Sequence, residues 1–538
     1  MARATLKLLL TVVVVCLVLL ASFWSQCGPT PLARAPQPLQ VEYRDTECRI
    51  NGEYSVPCLR QDEQVWLPFS FVHKYFEIFG EFTQQTPGGS ERFDLWHSTS
   101  KVYKPKTNYD PRGVFLFFDN YNVEVRDRVM CVSADEGVPI STQWDSSGYY
   151  YPTQVAQFGL AHYSKNLTQP KVTRKVLEDG GDTSKTTWLV SDSSFAKREK
   201  YGSSKVLIFA GRVHAPVSSD MAYLDVNITL ASNSSLWVAI EQKHQPTRRM
   251  HYVCGETRPI WTDGRDCFYG MGHCGQWNRL SRDLALDLQK AIRVSKRPRN
   301  LRVVAIGLEG SGRLDDLSLS NGSDHDALFW AAARWFVRHQ SSDGGWPIPA
   351  RRRLVAGMSI LAPGWLSAMA QGHAASLLAR AYHRSGDPQY LEAAEKGLAP
   401  FRLPSTKGGV RASLWGHTWF EEYPTTPPSL VLNGFIYALL GLHDLRMIGN
   451  SKNASILYSE GIESLRALLP VYDTGSASVY DLRHVTLGSA PNVARWDYHA
   501  THVNQLLMLA TIEPQVELFK RTAMRWADYM LGHRAAHN

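Results

Sequence analysis

The chain has little net charge for its length, +8 over 538 residues, with 58 basic and 50 acidic side chains nearly cancelling. So weak a bias favours an anionic partner without identifying one, and it gives no ground for a nucleic-acid function. Metal-ligand spacing is also lacking. Cys254, Cys267 and Cys274 lie close together but have no credible fourth ligand. His499 and His502 are three apart, with no carboxylate or third histidine at a standard distance, so caps and core describe them better than zinc. No internal repeat is strong enough to establish helix pairing. No clean small-x-small cleavage site precedes Phe23-Trp24, although Ala21-Ser22-Phe23 keeps a cleaved signal peptide open.

What is present begins with an apolar run, Leu8 to Trp24, preceded by Arg3 and Lys7. Its length, about 17 residues, is at the short end for a bilayer-spanning helix. Basic residues on its N-terminal side predict a cytoplasmic tail (1–7), a signal anchor (8–24) and an extended Pro-rich stem (25–40), with the remainder outside the cytosol. Sequons at Asn166, Asn227, Asn233, Asn321 and Asn453 agree with lumenal exposure. Eight cysteines are compatible with an oxidising compartment. Cys48 and Cys58 could close a small loop, but spacing does not determine pairing.

From about Val41 to Leu319 the pattern is short β-type runs broken by Gly, Asn, Asp and Pro. Period-two alternation in Asn122 to Val129 predicts a strand burying Val123 and Val125, with Glu124, Arg126 and Arg128 opposite. One helical stretch, Pro152 to Ser164, interrupts the region. Such a pattern suggests a β-sandwich (111–320) beside a smaller β-hairpin region (41–110). Near Asp326 the apolar spacing changes to three and four. About seven helices follow over 321–538, best arranged as antiparallel pairs in an incomplete α/α-toroid.

Three loops between these helices carry similar chemistry: WFEEYPTTPPS (Trp419 to Ser429), VYDLRH (Val479 to His484) and ARWDYHATH (Ala494 to His502). Each sets an ionisable tyrosine beside carboxylates or arginines, and loops on a rigid frame are where reactive groups concentrate. The set suits proton transfer at a carbon next to a carboxylate. Arg483 or Arg495 would hold that carboxylate. A tyrosine beside arginine forms its phenolate more easily. Epimerase, hydrolase (with Glu422 and Asp497 as the two acids) and lyase chemistry all remain open on residue types alone. The basic runs Lys296 to Arg299 and Arg351 to Arg353 read as solvated surface.

These motifs resemble the D-glucuronyl C5-epimerase family of heparan sulfate synthesis, as do DNYNVEVRDRVMC (Asp119 to Cys131), EGVPISTQW (Glu136 to Trp144), YYPTQVAQFGLAHYSKNLT (Tyr150 to Thr168), GGWPI and PGWLSAMAQG (Pro363 to Gly372). The resemblance runs from about Val41 to the C-terminus. It implies a β-hairpin region, a β-sandwich and a C-terminal α/α-barrel. It further implies a homodimeric type II protein of the Golgi membrane that converts glucuronate to iduronate in an N-sulfated heparosan chain. Other heparan-modifying Golgi enzymes are implied partners, and no organic cofactor is expected. By motif, Glu422 and Tyr498 would flank C5, Tyr423 and Tyr480 would assist, and Arg483, Asn433 and Arg126 would contact substrate. The family's structural calcium would fall to Asp315, with Glu178 as second ligand. Cys58 and the Cys254 to Cys274 segment depart from the pattern, implying an additional disulfide.

Overall fold

Alternating runs in the first unit, Met1–Ser98, pair into a five-stranded sheet in a computed structural model. The described residues are 13–19, 43–50, 52–67, 79–84, 91–96, 101–181, 186–202, 204–294 and 296–536. Arg44–Ile50 lies antiparallel to Tyr54–Gln61, and a Cys48–Cys58 disulfide links the two strands beside buried Ile50. The apolar run Leu8 to Trp24 lies outside the described residues except for 13–19, which is helical. Among the described residues, no helix is long and apolar enough to cross a membrane.

The second unit, Thr99–Asn538, takes over earlier than the expected boundary at 110. Tyr103 N–H donates to Asn504 Oδ1 (2.7 Å), and the Tyr109 hydroxyl donates to buried Asp444 (3.0 Å). Both therefore belong to the helical body rather than to the small sheet.

The sandwich is organised by one 20-residue strand, Leu301–Ser320. It runs antiparallel to Ser204–Ser219 along one edge. Along the other it pairs first with Ser235–Gln242 and then with Tyr223–Leu230. Val226, Ile228, Leu236, Ile306 and Leu308 fill the core between the layers. A second disulfide, Cys254–Cys274, closes its far edge, while Cys131 and Cys267 stay free and buried.

Two expectations fail at the start of this unit. Residues 122–128 form turns, not a strand, and Val125 is exposed. The Lys290 ammonium caps the carbonyls of Arg126 (2.7 Å) and Val129 (2.8 Å), and Arg126 stacks on Tyr121, so side chains replace a ladder partner. The helix Pro152–Thr168 forms where Pro152 to Ser164 was expected, but not as part of the sandwich. It is buried on nearly every face and packs against His325–Arg338 and Ala368–Ser385. Gly159 permits this approach, since a Cβ there would meet Ala332 at 2.7 Å and Leu377 at 2.8 Å.

Apolar spacing of three and four yields further helices: Ala368–Ser385, Pro388–Lys396, Leu432–Ile448, Lys452–Leu468, Trp496–Ile512 and Glu517–Met530. Leu432–Ile448 is buried on all sides through Leu445 and packs against Ala368–Ser385, Lys452–Leu468 and Trp496–Ile512. Its central position sets the location of the site, which forms at its N-terminus.

Candidate active site

Adjacent glutamates reach opposite fates at the end of the hairpin Arg411–Leu414/His417–Phe420. Trp419 stacks on Phe435 at 3.7 Å and anchors the strand. Glu421 then turns inward and accepts hydrogen bonds from Ser429 Oγ (2.6 Å) and Leu430 N–H (3.0 Å), bracing the loop. Glu422 faces the other way. It lies against the first turn of Leu432–Ile448, where a Cβ on Gly434 would sit 2.3 Å from Glu422 Oε2. Exposed helix N–H groups and the dipole favour negative charge at such a terminus.

Glu422 is buried, and its Oε2 has no hydrogen-bond partner among the described residues. Burial pushes its carboxyl up to about 7, while the Tyr423 hydroxyl and the Arg352 charge pull it back. At neutral pH both protonation states are accessible. Glu421 is pushed to about 8 by burial, with its bonds to Ser429 and Leu430 opposing.

Three tyrosines surround the carboxylate. Tyr423 follows it directly. The segment 478–482 carries Tyr480, whose N–H donates to Asn492 O (2.7 Å) and whose carbonyl accepts from Leu432 N–H (3.1 Å). Tyr498 stands in the first turn of Trp496–Ile512, with its ring 4.8 Å from that of Tyr480 in a T-shaped contact. Burial raises all three hydroxyls, and the Glu422 charge raises them further. For Tyr498 this outweighs Arg128 and Arg495, so the expected easing of the phenolate does not occur. These residues hold protons at neutral pH and are poised as acids.

The other expected residues divide. Asn433 is buried beside the site with Oδ1 unpartnered among the described residues, while its carbonyl accepts from Gln505 Nε2 (2.9 Å). Arg483 begins a short helix, Arg483–Leu487, and its Nε donates to both oxygens of buried Asp481 (2.8 and 2.9 Å). Arg495 is half-exposed, 3.9 Å from Asp497 and 5.3 Å from the Tyr498 ring centre. Arg126 lies 4.5 Å over the Tyr121 ring, and its charge reaches Asp497. His499 and His502 are core groups: His499 Nδ1 accepts from Ser478 N–H (3.0 Å), so its Nε2–H donates to Trp526 O (2.8 Å).

Arg352 was missed. Read as solvated surface, it instead points inward over Trp144 and Tyr423, while Arg351 and Arg353 are exposed. The signal was the alternation Ile348, Ala350, Arg352, in which the first two are buried.

The assignment of Glu178 to calcium does not fit. Glu178 is wholly buried, and its carboxylate accepts from Arg198 Nε (3.0 Å) and Nη2 (2.8 Å), Trp188 Nε1 (2.8 Å) and Gly180 N–H (3.0 Å). These bonds saturate it. Asp315 sits opposite Asn227, where Asp316 bulges out with φ 52°. Burial and the charges of Asp316 and Asp179 raise the Asp315 carboxyl. Among the described residues, no three His, Cys, Asp or Glu side chains are grouped to hold a metal. Of the sequons, Asn166, Asn233, Asn321 and Asn453 are exposed, and Asn227 is half-buried between two strands.

A buried carboxyl titrating near neutrality among protonated phenols, on a helical scaffold beside a β-sandwich, defines an acid–base enzyme. Residues 340–528 match the family model of the D-glucuronyl C5-epimerase C-terminus, and residues 203–311 match that of the D-glucuronyl C5-epimerase β-sandwich domain. The chain is 36% identical over 558 aligned residues to a D-glucuronyl C5-epimerase of Caenorhabditis elegans, covering 92% of this chain and 90% of that one. It therefore belongs to the D-glucuronyl C5-epimerase family and is an isomerase. An uncharacterised protein of Methanocaldococcus jannaschii shares 35% identity over 153 residues, 28% of this chain and 47% of that one. Among solved structures, a rhamnosidase from Klebsiella oxytoca with rhamnose bound aligns with 70% of this chain and 72% of its own. Its TM-score of 0.20 at 7% identity carries no argument.

Proposed function

We propose that the chain converts D-glucuronate to L-iduronate at C5 within N-sulfated heparosan, with Glu422 and Tyr498 serving opposite faces of the carbon. The observation that carries this reading is the buried Glu422 carboxyl, pushed up to about 7 and with Oε2 open among the described residues, ringed by raised tyrosines. Ionised Glu422 takes the C5 proton, and the electron pair delocalises into the uronate carboxylate. The Tyr498 hydroxyl returns a proton from the other side. Its phenolate is held by Arg128 and Arg495 until the enzyme's protons redistribute. In the reverse direction the phenolate is the base and protonated Glu422 the acid. Tyr480 and Tyr423 donate to the carboxylate and the developing charge.

This reading places the helical body in an incomplete α/α-barrel and the chain in a homodimer at the Golgi membrane, anchored as a type II protein beside other heparan-modifying enzymes. The family membership, the sequons and the N-terminal apolar run support that placement.

The test is NMR of N-sulfated heparosan in deuterated water. Deuterium entry at C5 together with iduronate signals is expected. Chain cleavage with an unsaturated uronate would point instead to a lyase. Tyr498→Phe should keep the fold and lose about 100-fold or more in exchange. Near-normal exchange in that variant would remove Tyr498 from the mechanism.

A further inference from the structure

We propose that Arg352, seated on Trp144, is the residue that engages the uronate carboxylate of the substrate, a role the loop sequences suggested for Arg483 or Arg495. The proposal rests on the epimerase reading and adds the group that recognises its substrate.

Arg352 is placed by a two-stranded turn in which Ile348 bridges to Trp365 and Arg352 to Leu361. Alternate residues of this turn face the site. The guanidinium lies 4.9 Å from the Trp144 ring centre and 6.0 Å from that of Tyr423. Trp144 is 6.0 Å from Trp365 and 6.1 Å from Tyr423, so an aromatic wall stands under the cation. Trp144 holds φ 74°, a conformation rare for a bulky residue. Strain of this kind persists where surrounding packing enforces it and concentrates at functional sites.

Pairing separates Arg352 from its rivals. Asp481 engages Arg483, and Arg495 is half-exposed beside Asp497. Arg352 Nε is buried without a hydrogen-bond partner among the described residues, and none of their carboxylates forms an ion pair with it. A half-buried guanidinium whose Nε is buried and open, and a buried carboxyl whose Oε2 is open, ask in one site for a ligand that satisfies both. A uronate does so, offering its carboxylate to the fork of Arg352 and its acidic C5–H to Glu422. As charge grows on that carboxylate in the transition state, Arg352 is already in place to offset it.

The same cation lowers the Glu422 carboxyl, which gives a readout that mere structural support would not move. Three measurements on the purified protein test the proposal: kcat and KM for C5 exchange, the pH profile, and binding of carboxyl-reduced N-sulfated heparosan. For Arg352→Gln, KM should rise at least about 30-fold. The limb reporting Glu422 ionisation should move to higher pH, and the preference for carboxylated over reduced polymer should vanish. Arg352→Lys keeps the charge but not the fork, and should recover the pH limb while KM stays raised. A folded Arg352→Gln with unchanged polymer preference and pH limb would overturn the proposal. Should that variant not fold, Arg352→Lys decides: a wild-type KM overturns the role and a raised KM supports it. If the wild-type protein exchanged no C5 proton, the epimerase reading would fall first, a result distinct from either outcome for Arg352.

Discussion

The sandwich and the candidate site each set an arginine among a carboxylate and tyrosines, and they use them differently. In the sandwich, Arg282 donates to Asp287 through Nε and Nη2, both at 2.7 Å. The Tyr252 hydroxyl donates to Asp287 Oδ2 (2.8 Å), and that of Tyr269 to the Asp287 carbonyl (2.8 Å). The guanidinium also lies over both rings. Every partner is satisfied, and burial is offset by pairing. At the helical site Glu422 Oε2, Asn433 Oδ1, Arg128 Nε and Arg352 Nε are all buried without partners among the described residues. Residue types do not distinguish a brace from a reactive centre. Hydrogen-bond satisfaction does.

The comparison can be broken most severely at Glu422. Glu422→Gln should cost about 100- to 10,000-fold in C5 exchange while leaving the melting temperature unchanged or raised, because an unpaired buried charge is removed. An unfolded variant would show instead that Glu422 is a brace like Asp287. The complementary change, Asp287→Ala, should destabilise by about 3–5 kcal/mol in urea titration by stranding Arg282. Exchange per folded molecule should remain at the wild-type level. A large loss of specific activity there would erase the distinction.

A smaller effect concerns pH. Glu422 has its folded pKa raised to about 7 from an ordinary value of 4.5. The folded state thus keeps a proton that the unfolded state has lost, and this contribution to stability is full below about 4.5 and disappears as pH rises to about 7. Relative to Glu422→Gln, the wild-type protein should lose about 2–3 kcal/mol across that window, measured by denaturation at a series of pH values. Its exchange rate should climb over the same limb as the base ionises. A flat stability difference would mean that Glu422 is not held neutral by burial. Smallest of all, Arg495→Ala should change exchange by no more than about five-fold, as an exposed pair contributes under about 1 kcal/mol. A loss approaching that of Glu422→Gln would move the carboxylate contact from Arg352 to Arg495.

Much of the molecule was legible in the residues. Helices such as Leu432–Ile448 and Glu517–Met530 follow their apolar spacing to within a few positions, and the last sandwich strand ends at Ser320, beside the expected limit of the β-type pattern at Leu319. Glu422, Tyr423, Tyr480 and Tyr498 were identifiable from their motifs and gather at one site. The failures have common physical causes. Asn122 to Arg128 alternates like a strand but forms turns, because Lys290 caps its backbone and Tyr121 takes the Arg126 side chain. Pro152–Thr168 joins the helices since a segment buried on all sides goes where packing accepts it, not to its sequence neighbours.

Sequence alone determined the reactive inventory and the local periodicities, because both are properties of neighbouring residues. Only the tertiary structure decided which charges are paired. Glu421 and Glu422 are adjacent and chemically identical, yet one braces Ser429 and the other faces Arg352. That choice depends on how the loop closes, with Ser429 eight positions from Glu421 and Arg352 in another segment, as does the burial that sets each pKa.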